Sequence, residues 1–87
     1  MSFSANTITF SGGVAMIAGN DARTYISIQN TGSNTFYLGV NGSVTVNDGF
    51  PLAEDDTITS MNYLGSYFVV QTGSTIKSTV SFIEEDF

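Results

Sequence analysis

The sequence predicts an all-β domain, a sandwich or a barrel, and three observations support this. Turn-forming residues recur at short intervals, for example at 19–21, 31–34 and 47–49. The segments between the turns are rich in Val, Ile, Thr, Phe and Tyr, which suit a pleated strand. No window has the periodicity of an amphipathic helix. Many short strands at nearly regular spacing are typical of a sandwich or a barrel.

Eight strands are predicted along the chain. Their expected ranges are 6–10, 14–18, 23–30, 34–40, 43–46, 57–61, 66–72 and 75–84. Within 23–30, Ile26 and Ile28 fall on one face. The other face carries Arg23, Tyr25, Ser27 and Gln29. One dry face and one wetter face are expected of an antiparallel sheet that packs on a core.

Two of the predicted strands are apolar on both faces. Strand 66–72 has Phe68 and Val70 on one face and Tyr67 and Val69 on the other, and strand 34–40 shows a similar pattern. A chain of 87 residues has little material for a third layer. We therefore expect one of these faces to contact another subunit.

The size and composition of the chain favour self-association. A single domain of 87 residues buries only about 60–65% of its unfolded surface, so its core is marginal. Small domains compensate with disulfides, a metal or a partner. The sequence has no Cys and no His, which excludes disulfides and removes the usual transition-metal ligands. A homo-oligomer is the expected source of additional stability.

Charge is sparse and mostly negative. Arg23 and Lys77 are the only cations, against eight acidic residues, and the net charge is −6. Nucleic-acid binding needs Lys and Arg to neutralise phosphates, and anionic membranes attract basic segments. We expect neither nucleic acid nor a membrane as a partner. We also expect no secretory signal and no membrane-spanning segment.

No catalytic, cofactor-binding or metal-binding residues are predicted. Hydroxyl nucleophiles are plentiful, but neither His nor a second Lys is present to activate one. Glu54-Asp55-Asp56 is the only internal acidic cluster. It lacks the alternating spacing that surrounds a calcium ion, so a solvated turn is favoured and a cation site is the alternative. The sequence does not indicate an enzyme.

The two ends of the chain differ from its middle. Residues 1–5 are predicted to be an N-terminal arm, 6–84 the β-sandwich domain and 85–87 a C-terminal tail. The arm contains Phe3 and is either flexible or adds a strand to a neighbouring chain. Phe87 ends the tail. The tail is either frayed or docked on the domain, and docking would remove the Phe87 ring from water.

Aromatic residues are the candidates for contact with other molecules. Tyr buries a large ring while its hydroxyl stays hydrogen-bonded, so it is enriched in interfaces. Some of the tyrosines must instead belong to the core, and exposed ones could stack on sugars. The candidate interface residues are Phe3, Tyr25, Tyr37, Tyr63, Tyr67 and Phe87.

One long segment resembles a known protein family. The sequence RTYISIQN occupies 23–30, followed by Gly32, FYLG at 36–39 and DGFPL at 48–52. This pattern, over about residues 22–72, resembles small β-sandwich virion proteins of tailed bacteriophages, of the capsid decoration or cement type. The resemblance implies an antiparallel β-sandwich of jelly-roll type without catalytic residues.

The resemblance implies a structural function. We expect a virion protein, made in the host bacterial cytoplasm, that decorates or cements the outer capsid surface. It would be a homotrimer that bridges subunits of the major capsid protein. One alternative is a phage fibre or tail module that binds host glycans through exposed tyrosines. Another is a sandwich binding domain unrelated to phages.

Overall fold

The structure is a computed structural model that describes residues 2–10, 14–60, 63–71 and 78–86. Within these ranges all regular secondary structure is β-strand. The strands are β1 (Ser2–Phe10), β2 (Val14–Ile17), β3 (Arg23–Asn30), β4 (Phe36–Gly39), β5 (Phe50–Leu52), β6 (Thr57–Ser60), β7 (Tyr67–Val70) and β8 (Ser78–Asp86).

The strands form two antiparallel sheets of four strands each. The first sheet has the order β1-β8-β3-β6, and the second has the order β2-β7-β4-β5. Successive strands alternate between the sheets, except that β4 and β5 pair with each other. Eight strands connected in this order form a jelly roll. The predicted all-β sandwich of jelly-roll type is confirmed.

The core lies between the two sheets. Alternate residues of each strand point inward, and burying a large aliphatic or aromatic side chain contributes about 1.5–3 kcal/mol. Phe36 is completely buried, and Phe10 packs edge-to-face against it at a centroid distance of 6.1 Å. The buried cluster consists of Ile17, Ile26, Ile28, Phe36, Leu38, Leu52, Tyr67, Val69 and Val80.

The two sides of the sandwich are built differently. β5 is an edge strand of the second sheet and β6 is an edge strand of the first. The two edges lie on the same side of the sandwich, because only residues 53–56 connect the two strands. We call this the closed side. β1 and β2 end the sheets on the opposite side, which we call the open side.

The predicted strand at 43–46 is wrong, and β5 takes its place in the second sheet. Residues 40–49 form turns held by side chains: the Asn41 side chain accepts the backbone N–H of Ser43 at 3.0 Å, and Asp48 accepts that of Thr45 at 2.7 Å. Such local bonds compete with strand pairing. β5 was missed because it has three residues and contains Pro51, which only an edge strand tolerates.

A β-bulge in β3 reverses the predicted direction of Arg23. The register against β8 shifts between Arg23 and Tyr25, so Thr24 is an extra residue. Strict alternation places Arg23 on the wetter face with Tyr25. The bulge turns Arg23 inward instead, and only 4% of its surface is exposed.

The terminal strands extend beyond their predicted bounds. β1 begins at Ser2, so residues 2–5 of the predicted arm pair with residues 83–86 of β8. The predicted domain boundaries after residues 5 and 84 therefore fall inside strands. Ladder hydrogen bonds need only the backbone, so the side chains of this segment did not indicate the pairing. Residues 75–77 of the last predicted strand lie outside the described residues.

Candidate contact surface

The two sheets present different outer faces to solvent. On the first sheet, residues paired across neighbouring strands place hydroxyl and amide groups side by side: Thr7 is opposite Ser81, and Ser81 and Thr57 are both opposite Gln29. The hydroxyls of Thr7 and Ser81 are hydrogen-bonded at 3.1 Å. We call this the hydroxyl face; its polar residues are Thr7, Ser27, Gln29, Thr57, Thr59 and Ser81, and Ala5 and Ile83 lie among them.

The outer face of the second sheet is apolar. Val70 is paired with Val14 on one side and with Tyr37 on the other, and Tyr37 is paired with Pro51. Directly opposite residues share a face, so these four form one row across the sheet. Met16 and Phe68 begin a second row that ends at Gly39. We call this surface the apolar face; it comprises Val14, Met16, Tyr37, Pro51, Phe68 and Val70.

The β4–β5 loop covers one part of the apolar face. Val44 packs directly on Gly39, where an added Cβ would lie 2.6 Å from the Val44 Cβ. A Cβ added at Gly49 would likewise lie 2.7 Å from the Tyr37 Cβ. Only glycine permits such contacts between the backbone and a side chain. The loop therefore covers the β4 part of the apolar face.

The β2 part of the apolar face remains open. Val14 is 46% exposed and Met16 is 53% exposed, whereas Phe68 and Val70 are half-buried. Contiguous exposed apolar residues mark sites of interaction. No member of the face is charged, although the chain carries a net charge of −6. Depletion of charge is characteristic of the core of a protein interface.

Arg23 holds one end of the sandwich together. Its Nε donates to Glu84 Oε2 at 2.6 Å. Its Nη1 donates to the carbonyls of Tyr63 and Gly65 at 3.1 and 2.9 Å, and its Nη2 donates to the Ala18 carbonyl at 2.9 Å. A buried guanidinium with four acceptors has a structural role rather than a ligand-binding one.

At the other end of β3, the side chain of Asn30 binds backbone groups of the adjoining segments. Its side-chain nitrogen donates to the carbonyls of Asn34 and Leu52, both at 2.8 Å. Its side-chain oxygen accepts the backbone N–H of Gly32 at 3.0 Å. The side chain is fully buried and connects the β3–β4 loop to β5. The first and last residues of RTYISIQN thus stabilise loops.

The structure places the four tyrosines in three environments. Tyr67 is only 6% exposed, and Tyr63 packs edge-to-face against it at 5.1 Å. Arg23 lies 5.7 Å from the centroid of the Tyr67 ring, so Tyr67 belongs to the interior and the half-buried Tyr63 packs against the edge of the core. Tyr37 is half-buried on the apolar face, and Tyr25 is half-buried on the outer side of the first sheet.

The two phenylalanines predicted as contact residues are described only in part. The backbone of Phe3 lies in β1, opposite Glu85. Phe87 lies outside the described residues. Of the tyrosines, Tyr63 and Tyr67 pack together at the edge of the core and Tyr37 lies on the apolar face.

Sequence reasoning missed Val14, Met16 and Pro51 as parts of the exposed surface. The sequence contained an indication of Val14 and Met16, because alternation along the strand places them on the face opposite to Ala15 and Ile17, which face inward. The four-residue length of β2 concealed it.

The acidic turn at 54–56 is organised by backbone contacts. Asp56 Oδ2 accepts the backbone N–H of Ala53 at 2.9 Å, and the backbone N–H of Asp55 donates to the Asn30 carbonyl at 2.9 Å. Asp55 has a positive φ of 69°, which Asp tolerates. Within the described ranges, no group of three or more Asp or Glu residues is arranged to hold a metal ion.

A shallow groove of about 310 Å³ lies on the hydroxyl face. All its lining residues are uncharged, and none is a tyrosine. They are Ala5, Asn6, Thr7, Ser27, Gln29, Ser81, Phe82 and Ile83.

Comparison with known proteins adds no family to this description. No protein-family model matches the sequence, and no curated protein matches it. In the part of the chain that the structure describes, no helix has the length and hydrophobicity needed to span a membrane.

Proposed function

We propose that this chain is a structural virion protein that decorates or cements a bacteriophage capsid and has no catalytic activity. It lies on the outer capsid surface and binds the major capsid protein across subunit junctions. It acts as a small oligomer, which the resemblance to decoration proteins favours as a trimer. The observation that carries the proposal is the apolar face, with Val14 and Met16 exposed on it.

Three features support a contact function. The apolar face offers uncharged surface whose removal from water contributes about 25 cal/mol per Å². The buried side chains of Arg23 and Asn30 fix the loops at both ends of the sandwich, so the shape presented to a partner is rigid. The third is the RTYISIQN–FYLG–DGFPL pattern, which resembles decoration proteins.

Many modest contacts can stabilise a shell. Each copy bridges neighbouring capsid subunits, and repetition over the particle multiplies the effect of a weak individual contact. The bridged subunits resist the outward pressure of packaged DNA. A negatively charged chain also avoids binding to that DNA.

Capsid binding by two matched variants tests the proposal. Met16→Asp adds a negative charge to the apolar face, and Thr59→Asp adds the same charge at an exposed position of the hydroxyl face. We expect Met16→Asp to weaken binding to capsids by roughly tenfold or more, about 1.4 kcal/mol, and Thr59→Asp to leave it unchanged.

The stability of the particle gives a second measurement. Capsids that lack the protein, or that carry Met16→Asp, should release DNA at a lower temperature than capsids with the native chain. Equal release temperatures with and without the protein would contradict the cement role.

The groove on the hydroxyl face supports a second candidate, a fibre or tail module that binds host glycans. Hydroxyl and amide groups such as those of Ser81 and Gln29 line it, and these groups can bond to sugar hydroxyls. Binding on a glycan array that is lost in Gln29→Ala would favour this function. No binding by the native chain would eliminate it.

A further inference from the structure

β1 presents a long unpaired edge on the open side of the sandwich. It has nine residues and pairs with β8 on one side only; no strand in the described ranges pairs with its other edge. On an antiparallel edge strand, alternate residues direct their N–H and C=O groups away from the sheet. Such an edge is a template for a further strand.

The other three sheet edges are short strands, of which β2 has four residues, and two of them carry further features that oppose strand addition. β5 has three residues and contains Pro51, while β6 has four and follows the acidic turn at 54–56. Short length, proline and nearby charge are the usual protections of an edge. β1, SFSANTITF, has neither proline nor charge, and its pairing with β8 continues from Ser2 to Phe10 without a bulge.

The middle of β1 is accessible from both faces. Ser4, Ala5, Asn6 and Thr7 are all exposed, although successive residues point in opposite directions. The strand therefore extends beyond the cover of the second sheet along this part. A second strand can therefore reach residues 4–7 of β1.

Charge favours an antiparallel arrangement of two copies. Glu84, Glu85 and Asp86 in β8 lie beside residues 2–4 of β1. Antiparallel pairing places these residues of one copy near residues 8–10 of the other, so the two acidic segments are offset by about 20 Å along the strands at 3.4 Å per residue. This offset exceeds the Debye length of about 8 Å at physiological salt. Parallel pairing would remove the offset and bring the acidic segments closer together.

We propose that β1 pairs antiparallel with β1 of a second copy of this chain, so that the two first sheets form one continuous eight-stranded sheet. Identical strands paired in this way are related by a two-fold axis. Asn6, the middle residue of β1, lies near its own counterpart. The contact is small compared with a standard interface of about 1,600 Å², so the dimer is weak and forms at raised protein concentration.

This inference does not depend on the capsid proposal. It concerns the edge of the first sheet, whereas capsid binding is assigned to the apolar face of the second. The contact has two-fold symmetry and gives a dimer, so its confirmation would replace the trimer of the capsid proposal and leave capsid binding by the apolar face intact.

Sedimentation of the native chain and two variants over a wide concentration series tests the pairing. Asn6→Lys places two positive charges close together at the two-fold axis, and like charges on facing strands are destabilising. Thr59→Lys makes the same charge change at an exposed position on β6, the opposite edge of the same sheet. We expect the native chain and Thr59→Lys to dimerise alike, and Asn6→Lys to remain monomeric.

Mixing complementary variants separates the pairing from a loss of folding. Asn6→Glu alone should also be monomeric, and an equimolar mixture of Asn6→Lys and Asn6→Glu should form a heterodimer. Hydrogen exchange should slow in β1 of the native dimer and not in β6. A monomer at every concentration, a trimer, or equal effects of Asn6→Lys and Thr59→Lys would overturn the proposal. Capsid binding measured with Met16→Asp succeeds or fails independently of these results.

Discussion

The two ends of β3 are held by different chemistry. At the Arg23 end, a charged group binds one carboxylate and three backbone carbonyls. At the Asn30 end, a neutral amide binds two carbonyls and one backbone N–H. Both side chains are buried at the boundary between a strand and its loops. Each end needs such a side chain because loop carbonyls have no ladder partners there.

The difference between the ends follows from the number of groups to be satisfied. At the Arg23 end, acceptors come from three separate segments around Ala18, Gly65 and Glu84. Only a guanidinium, with five N–H donors in a planar fork, reaches acceptors in so many directions. At the Asn30 end a donor and an acceptor are both needed, and the amide supplies both. We therefore expect unequal losses of stability when each is removed.

Arg23→Met should produce the largest effect. It leaves the Glu84 carboxylate and three carbonyls without their donor, and removal of one partner of a buried ion pair costs about 3–5 kcal/mol. The free energy of unfolding from urea denaturation measures the loss. The double variant Arg23→Met/Glu84→Gln should recover part of it, because the uncompensated carboxylate is gone. A loss below that of the Asn30 variant would contradict the expected order of the two ends.

Asn30→Leu should have the second largest effect, about 2–3 kcal/mol. The substitution keeps the number and branching of the side-chain heavy atoms but removes the donor to the carbonyls of Asn34 and Leu52 and the acceptor of the Gly32 N–H, and buried polar groups that lose a partner are costly. The same urea denaturation measures it. Thr35→Ala, at an exposed position in the adjacent loop, is the control and should be nearly neutral. If Asn30→Leu were neutral as well, the structural role of the amide would be wrong.

Glu84→Gln should have the smallest effect, about 1 kcal/mol. The amide oxygen still accepts from Arg23, so only the difference between a charged and a neutral hydrogen bond is lost. Glu85→Gln changes the neighbouring residue in the same way and should cost less than half as much, because Glu85 makes no contact with Arg23 among the described bonds. Equal losses in thermal or urea unfolding would mean that the ion pair contributes nothing specific.

Alternation of residues predicted much of the fold. The bounds of β3 agree with the prediction at both ends, and the two apolar faces of β7 are present as expected. Prediction failed where a local interaction overrode alternation. Asp48 and Asn41 hold residues 40–49 in turns, the bulge at Thr24 turns Arg23 inward, and Pro51 hides the edge strand β5.

The candidate surface was predicted only in part. Tyr37 was expected in a contact and lies on the apolar face, and Phe68 and Val70 were recognised as a second apolar face. Tyr67 was also expected in a contact, but it lies in the interior because its ring packs between Tyr63 and Arg23. When a strand is apolar on both faces, sequence spacing does not show which of its aromatic residues face the core and which face outward.

By itself the sequence determined that the chain forms β-strands, that it has no thiol or imidazole group, and that its few charges are mostly negative. These are properties of residue type and local spacing. Only the tertiary structure decided that β1 ends one sheet, that the apolar face is open at β2, and that Arg23 is buried. Pairing between strands that are distant in the sequence sets these features. The two-residue alternation of a strand shows that its two faces differ, but it does not show which face another part of the chain covers.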